Sequence, residues 1–277
     1  MPLERQVWDR LCRHDGEGHA SILRIDSHRT DGKIEEGAPS QKHDIRLGDV
    51  VVECSLRRTR GVLSYKYGKE VQGKEFEITG SLNFLPTLLL TALNQLDAIH
   101  ERKGHHIAET IRTMVTKNPR VREKHRYLGA EKDRWYESTY THVNNTAKCD
   151  TDCDRAVPLV IQRQPRSLDP EDPIVHYEII ASANQLMKDA VTRDKISQQH
   201  DVMCFEMEAT GLSNDFSCVV IRGICDYSDS HKNDEWQGYA ATTTASYAKE
   251  LLQTIPRVQV ARSQRAIDVV SGTGECT

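Results

Sequence analysis

The sequence predicts an α/β fold, a three-layer sandwich in which helices flank a mainly parallel, mixed sheet. Short apolar runs rich in β-branched residues alternate with stretches whose apolar residues recur at helical spacing. Several of the runs are apolar at consecutive positions, which is typical of strands buried on both faces. The 277 residues can bury a sizeable core and suit one large domain or two modest ones.

The predicted elements follow one another from residue 49 onward. The helix at Leu82–His100 has leucines at helical spacing and Pro86 near its start, and Pro256 ends the last helix. The full order is a strand at Asp49–Val52, an exposed hairpin or loop at Lys66–Gly80, a helix at Leu82–His100, a strand at Val175–Ala181, a helix at Asn184–Asp194, a strand at Val202–Phe205, a helix from Met207, a strand at Ser217–Cys225 and a helix at Tyr239–Leu252.

Three parts of the chain differ in composition. Residues 1–33 are charged and aperiodic, with one short apolar patch, and we predict that they are poorly ordered or weakly packed. Residues 34–255 form the predicted domain, and residues 256–277 form a polar tail. Inside the domain, residues 117–173 are irregular and carry charges of mixed sign, so we expect a solvated segment.

Composition argues against several classes of partner. The formal net charge is −4 and no large basic block is present, which argues against nucleic acid as the main partner. The longest apolar stretch, Leu85–Leu93, is interrupted by Pro86 and Thr87 and is too short to cross a bilayer. The first residues have no apolar core of a secretory signal, so we predict a cytoplasmic protein with no membrane partner.

The eight cysteines are predicted to be mostly free thiols in a reducing compartment. Cys204, Cys218 and Cys225 lie inside apolar runs, where a thiol packs as a small hydrophobic group. Cys149 and Cys153 differ, because they stand in a polar segment at a spacing that suits a metal ion. No second Cys or His pair at short spacing accompanies them, so a surface loop is favoured over a zinc site and no metal is predicted.

Polar or acidic side chains follow three of the predicted strands. Ser182 follows the first, Glu206, Met207 and Glu208 follow the second, and Asp226 follows the third. In an open α/β sheet, ligands bind outside the carboxyl ends of the strands, so these residues predict a polar, acidic site. Each acid also has a structural interpretation, as a helix cap, a turn residue or half of an ion pair.

Five segments resemble the nucleoside phosphorylase/nucleosidase superfamily, with the strongest likeness to purine/uridine phosphorylase-like domains of fungal multidomain proteins. Such domains are often found ahead of nucleotide-binding or repeat regions. The resemblance covers about residues 37–254. The segments are HDIRLGDVVV at 43–52, VHYEIIAS at 175–182, FEMEATGL at 205–212, VVIRGICDYSD at 219–229 and HKNDEWQGYAATTTASYAKELL at 231–252.

The resemblance implies cleavage of the N-glycosidic bond of a nucleoside, with phosphate or water as acceptor. Asp226 resembles the general acid that protonates purine N7, and Glu208 resembles the carboxylate that binds the ribose hydroxyls. Met207 resembles the residue that packs against the sugar, and Glu206 is expected to line the same pocket. Ser182 resembles a pocket residue near the base. Trp236 either covers the base or anchors the last helix in the core.

The chain departs from the family pattern before residue 44. The family's Gly-rich segment is replaced here by Lys33-Ile34-Glu35-Glu36-Gly37, and no counterpart of the first family strand is evident, so we expect an N-terminally incomplete fold. Glu35 and Glu36 should repel phosphate. Arg46 could be offered as a phosphate ligand, but a structural salt bridge is favoured.

Two functions are therefore open. One is an enzyme, a nucleoside phosphorylase or N-ribohydrolase that needs no cofactor and has phosphate as a candidate co-substrate. The other is a catalytically impaired nucleoside-sensing or interaction module of a multidomain protein. The expected partner is a small-molecule nucleoside. A homo-oligomer is also considered, with the Leu82–His100 helix as the contact, although the apolar face of that helix could equally belong to the core.

Overall fold

The computed structural model describes residues 23–25, 36–40, 42–53, 61–81, 85, 87–142, 149, 153, 159–166, 171–207, 209, 219–231 and 234–256. Within these ranges the strands are β1 (Leu23–Ile25), β2 (Glu36–Gly37), β3 (Val50–Glu53), β4 (Val62–Lys69), β5 (Glu77–Ser81), β6 (Val175–Ser182), β7 (Val202–Glu206) and β8 (Val219–Gly223). The helices are α1 (Thr87–Lys103), α2 (Ile107–Lys117), α3 (Arg122–His125), α4 (Ala190–His200) and α5 (Gln237–Thr254).

The strands form one mixed sheet that curls on itself. β6 lies at its centre and runs parallel to β3, β4 and β7. β8 runs antiparallel to β3, β5 antiparallel to β4, and β2 antiparallel to β7. A further bridge joins Glu36 of β2 to Asp226, three residues after β8. β2 therefore connects β7, on one side, to the segment that follows β8, on the other, and the sheet curls closed there. The sequence-based prediction of a mixed sheet flanked by helices is confirmed.

Helices cover both faces of this sheet. Successive residues of a strand point to opposite faces, and in β6 Ile180 belongs to one apolar cluster whereas Ala181 belongs to another. The larger cluster lies under α5, which packs on β1, β3 and β8 and is itself contacted by α1, α2 and α3. The smaller cluster lies under α4, which packs on β7. The arrangement is a three-layer one, helix on sheet on helix.

The apolar face of α1 is part of the core. Leu89, Ala92, Leu93 and Leu96 are buried in the larger cluster, at the helical spacing that the sequence indicates. These side chains are therefore used within the chain. In the part of the chain that the structure describes, no helix has the length and apolar character needed to cross a membrane.

The segment predicted to be poorly ordered supplies a strand. Residues Leu23–Ile25 form β1 and pair in parallel with Val219–Ile221 of β8. These are the described positions of residues 1–33, residues 1–22 and 26–33 lie outside the described residues, and the expectation for the segment stays a prediction. A three-residue strand is too short to show alternation, and its pairing depends on a partner almost 200 residues away.

One predicted helix begins later than expected, and two other predictions fall largely outside the described residues. The helix predicted at Asn184–Asp194 begins later, at Ala190, because the side chain of Asp189 accepts hydrogen bonds from the backbone N–H groups of Val191 and Thr192 and so caps the helix there. The helix predicted from Met207 falls largely outside the described residues, as does the predicted tail after Pro256.

The charged segment 117–173 is also less solvated than predicted. Asp49 is buried and accepts hydrogen bonds from Arg166 at 2.7 and 2.6 Å and from the backbone of Ile174 at 2.9 Å. Arg163 lies 2.7 Å from the buried Asp133. Burial would raise the pKa of the Asp49 carboxyl, but Arg166 and His176 lower it to about 2. The Asp49–Arg166 pair links the segment to the start of β3, and the Arg163–Asp133 pair joins two parts of the segment itself.

Arg46 forms the structural salt bridge that was favoured over a phosphate ligand. Its guanidinium lies 2.8 Å from Asp44 and donates a hydrogen bond of 2.6 Å to the carbonyl of Gln164. Arg46 is thereby fixed to the same charged segment.

Candidate functional site

Asp226 lies three residues after β8, at the point where the curled sheet closes. Its carbonyl accepts a hydrogen bond of 2.7 Å from the backbone N–H of Gly37. Its carboxylate accepts one of 3.2 Å from the backbone N–H of Ser228, and the Ser228 hydroxyl in turn donates to the carbonyl of Gly37. Asp226 is only 6% exposed. The backbone therefore holds this carboxyl in a buried position beside β2.

Glu36, in β2, lies directly beside Asp226. It is buried, and it pairs with Phe205 of β7 on one side and with Asp226 on the other. Burial raises the pKa of the Glu36 carboxyl, and the charge of Asp226 raises it further, to about 10. At neutral pH the pair is therefore expected to hold a proton, because two buried carboxyls this close resist ionising together.

Glu206, at the end of β7, is buried and paired. It forms a salt bridge with Arg222 of β8 and accepts hydrogen bonds of 3.1 and 2.9 Å from the backbone N–H of Ala209. Ser182 of β6 lies opposite Glu206 in the strand register, and the backbone N–H of Ala183 donates to the Glu206 carbonyl at 3.2 Å. The ends of β6 and β7 therefore meet, as predicted for parallel strands.

Two further groups extend this acidic region. Burial raises the pKa of the Glu53 carboxyl to about 8, with the charge of Glu206 adding to the shift, although a 3.1 Å hydrogen bond from the backbone N–H of Val220 acts in the opposite direction. Burial also raises the pKa of the Tyr65 hydroxyl to about 12, helped by Glu36 and Glu206. We call Glu36, Glu53, Glu206 and Asp226 the acidic cluster.

The other predicted site residues are placed differently. Trp236 is fully buried beside Tyr127 and Tyr239, and its ring nitrogen donates to the Lys132 carbonyl at 3.4 Å. Of its two interpretations, the structure supports the core anchor. Met207 is half-buried directly after Glu206, and Glu208 lies outside the described residues.

The route by which Asp226 reaches the cluster is not the one that the sequence suggested. The carboxyl ends of these strands would meet if β8 pointed the same way as β6 and β7, but β8 runs antiparallel to β3, which is itself parallel to β6. Asp226 reaches the site because the chain continues past β8 and pairs with β2. Glu36 was noticed in the sequence only as a charge that repels phosphate. The feature that could have identified Glu36 as a site residue is its position directly before Gly37, where the family-like region begins.

A small cavity lies beside Asp226. Its volume is about 20 Å³, room for about one water molecule. It is lined by Leu47, Lys132, Arg134, Tyr136, Cys149, Asp226, Tyr227, Asp229 and His231. A nucleoside therefore needs side chains around Asp226 to move before it can enter from this side.

The Glu36→Gln variant should change the pH dependence of stability. The pKa of Glu36 is about 10 in the folded chain against a usual 4.5, so the folded state holds this proton more tightly. The stabilisation from this group is complete below about pH 4.5 and is lost as the pH rises toward about 10. Gln cannot ionise. As the pH rises from about 5 to about 8, the free energy of unfolding of the variant should therefore fall by about 1–3 kcal/mol less than that of the wild type.

Urea unfolding at several pH values measures this effect. Glu109→Gln, which changes an exposed carboxyl on α2, is the matched control and should follow the wild type. Equal pH slopes for Glu36→Gln and the wild type would show that Glu36 ionises normally.

Comparisons with known proteins place the chain next to two kinds of protein. No protein-family model matches it. A nucleotide-binding leucine-rich repeat (NLR)-like protein of Hyaloscypha variabilis is 39% identical over 216 residues, 78% of this chain. Those residues are 20% of the relative, so the chain spans about a fifth of its length.

Among solved structures, a 5′-methylthioadenosine/S-adenosylhomocysteine nucleosidase from Neisseria meningitidis is similar with a TM-score of 0.43 and 14% identity, over 80% of this chain and 67% of that one. Futalosine hydrolase of Helicobacter pylori is similar with a TM-score of 0.40 and 11% identity, over 80% and 65%.

Proposed function

We propose that this chain is a nucleosidase-like domain that binds purine nucleosides and hydrolyses their N-glycosidic bond. The observation that supports the proposal most is the backbone pairing of Asp226 with Glu36, which sets two buried carboxyls side by side and raises the pKa of Glu36. The resemblance at residues 205–212 and 219–229 supplies the substrate class, since it places Asp226 opposite the leaving base.

The pair suits this reaction because bond cleavage makes two demands at once. The departing base needs a proton at N7, and the sugar develops positive charge at C1′ that a carboxylate stabilises. In the proposed step, the proton that Glu36 holds moves to Asp226 as Asp226 protonates N7 and the bond from C1′ to the base breaks. Water then bonds to C1′ and releases a proton to the pair. The two carboxyls therefore end the cycle in the protonation state in which they began.

Water is the proposed acceptor, in preference to phosphate. A phosphate dianion placed beside Asp226 would be repelled by the carboxylate of that residue. Two arginines near Asp226 are engaged with carboxylates, Arg222 with Glu206 and Arg193 with Asp194. Arg193 also donates to the carbonyl of Tyr227, which follows Asp226. We therefore propose an N-ribohydrolase, with no cofactor in the reaction.

The test is release of free base from adenosine, inosine, guanosine and 5′-methylthioadenosine, with and without phosphate. We expect free base and free sugar, at a rate that phosphate does not change. No release from any of the four by folded protein at high concentration would exclude the enzyme. Phosphate-dependent formation of a sugar 1-phosphate would contradict water as the acceptor.

The Glu208→Gln variant should separate sugar binding from base binding. By resemblance this carboxylate accepts hydrogen bonds from the ribose hydroxyls, each worth roughly 1.5–3 kcal/mol when the acceptor is charged. The Kd of the nucleoside should therefore rise about 10- to 100-fold, while that of the free base stays unchanged. Calorimetry measures both, with Glu101→Gln on α1 as the control. Equal losses for nucleoside and base would remove Glu208 from the sugar site.

A second candidate function is nucleoside sensing without turnover in a multidomain protein. Two features favour it. Glu206 is occupied by its buried ion pair with Arg222, and the cavity beside Asp226 is too small for a water molecule and a nucleoside together. The similarity to a fifth of an NLR-like protein fits it as well. Nucleoside binding in calorimetry, together with no base release over the same time, would select this function.

A further inference from the structure

Three metal-ligating side chains meet near the loop that follows Asp226, and a histidine of that loop contacts two of them. The ligating atoms of His142, Cys149 and Cys153 all lie within 4.8 Å of one another. The Nδ1 atom of His231 lies 3.6 Å from the sulfur of Cys149 and 3.4 Å from that of Cys153. The surface loop favoured from the sequence therefore does not describe these cysteines, since Cys153 is 2% exposed and Cys149 is half-buried.

We propose that Cys149, Cys153, His142 and His231 bind a structural zinc ion. Two thiolates and two imidazoles are a common tetrahedral zinc set, with Zn–S of about 2.3 Å and Zn–N of about 2.0–2.1 Å. In a tetrahedron with those bond lengths, a ligating sulfur and nitrogen lie about 3.6 Å apart. Both measured separations between sulfur and His231 Nδ1 agree with this value within 0.2 Å.

The ring of His231 is already oriented as a zinc ligand. Its Nε2 lies 3.0 Å from the carbonyl oxygen of Tyr140 and must carry a proton to donate there. In the neutral ring, Nδ1 is then unprotonated and directs its lone pair toward the two sulfurs. A zinc-bound histidine usually donates its other N–H to a backbone carbonyl or a carboxylate in this way. The rings of Tyr136 and Tyr140 stack on the His231 ring, with distances of 4.1 and 4.7 Å between the ring centres.

The backbone around the other ligands is held in place as well. The N–H of Cys153 donates to the carbonyl of Cys149 at 2.9 Å, so the two sulfurs lie one helical turn apart. The N–H of His142 donates to the hydroxyl of Ser230 at 2.8 Å, directly beside His231 in the chain. His142 and His231 are each 6% exposed. Four protein ligands in a buried place indicate a closed, structural site, and thiolates favour zinc over magnesium or calcium.

A zinc ion bound by these residues would cross-link the segment that contains Cys149 and Cys153 to the loop that follows Asp226. His231 is five residues after Asp226, and the two share the lining of the small cavity. The sequence indicated only the Cys149–Cys153 pair, because the two histidines have no short spacing to each other. His142 precedes Cys149 by seven residues, and His231 is 78 residues beyond Cys153.

The test is the metal content of the whole chain, purified after zinc-supplemented expression. We expect about one zinc ion per chain, and after exchange with cobalt the thiolate-to-metal band and the visible bands of a tetrahedral ion. Cys149→Ser, Cys153→Ser, His142→Ala and His231→Ala should each lose the metal or the tetrahedral spectrum. Cys204→Ala, at a buried cysteine of β7, is the matched control and should keep both.

A wild-type chain without zinc and without a cobalt spectrum would overturn the site. An unchanged cobalt spectrum in His142→Ala would overturn the four-ligand set, and a mass two hydrogens lower without metal would identify a disulfide instead. If a variant does not fold, the site can be tested in the wild type by measuring how fast its cysteines are alkylated. Zinc should protect Cys149 and Cys153, and a chelator should remove that protection. Equal alkylation with and without chelator would contradict the proposal.

Discussion

The Asp226→Asn variant is expected to lose base release by roughly a hundred- to ten-thousandfold, the usual contribution of a general acid. Asn has nearly the same shape, and its side-chain oxygen can still accept the 3.2 Å hydrogen bond from the Ser228 backbone. It cannot hold or donate a carboxylic proton. The loss should therefore fall on the rate, with the thermal transition of the folded chain preserved.

A second readout in the same variant tests the pairing with Glu36. The charge of Asp226 contributes to the raised pKa of Glu36, so removing that charge should flatten the pH dependence of stability attributed to Glu36. Asp201→Asn is the matched control for activity. Asp201 has a φ of 56°, which Asn also tolerates, and its carboxylate contacts Lys42 and His43 at the surface. Full turnover by Asp226→Asn would show that another group protonates the base.

The Arg222→Met variant is expected to be destabilised by about 3–5 kcal/mol. Arg222 and Glu206 are both 3% exposed, and removing one partner of a buried ion pair leaves the other charge uncompensated. Met fills much of the volume of the arginine stem, so the cost should come chiefly from the lost charge. Urea unfolding at neutral pH measures the free energy of unfolding.

The double variant Glu206→Gln with Arg222→Met separates charge from packing. Replacing both partners of a buried pair is often close to neutral, so the double variant should recover most of the loss. Arg112→Met is the control, because Arg112 and Glu171 form an exposed pair for which about 0–1 kcal/mol is expected. A double variant as unstable as Arg222→Met would mean that the arginine acts through packing and not through its charge.

The elements that the sequence predicted well are those whose burial is local and continuous. Val50, Val51 and Val52 form a run that is buried on both faces, and the strand around it is observed as β3. The hairpin of β4 and β5 and the last helix, α5, are also observed close to their predicted places. In each case, residues near one another in the chain carry the pattern that identifies the element.

The elements that were missed depend on distant partners or on a single cap. β1 exists because three residues pair with β8, and no periodicity can show in so short a strand. The start of α4 is set by the side chain of Asp189, which overrides the apolar spacing farther upstream.

The candidate site was predicted in part for the same reason. Ser182, Glu206 and Asp226 were predicted from strands that are visible in the sequence. Ser182 lies opposite Glu206, and Asp226 pairs with Glu36, the residue that also pairs with Phe205 beside Glu206. Glu36 and the ring of His231 enter only through contacts with residues far along the chain. Spacing within a motif carries no information about such contacts.

The hydrogen bond from the Ser228 hydroxyl to the Gly37 carbonyl joins residues 191 positions apart, next to the backbone pairing of Glu36 with Asp226. Contacts of such high separation cost much loop entropy and tend to form late in folding. During synthesis, β2 must wait for both β7 and the segment after β8 to leave the ribosome before Glu36 acquires its neighbours. A nascent chain that ends before residue 226 therefore carries the strands of the sheet without the carboxyl pair, and the activity proposed here can arise only after four-fifths of this chain has been made.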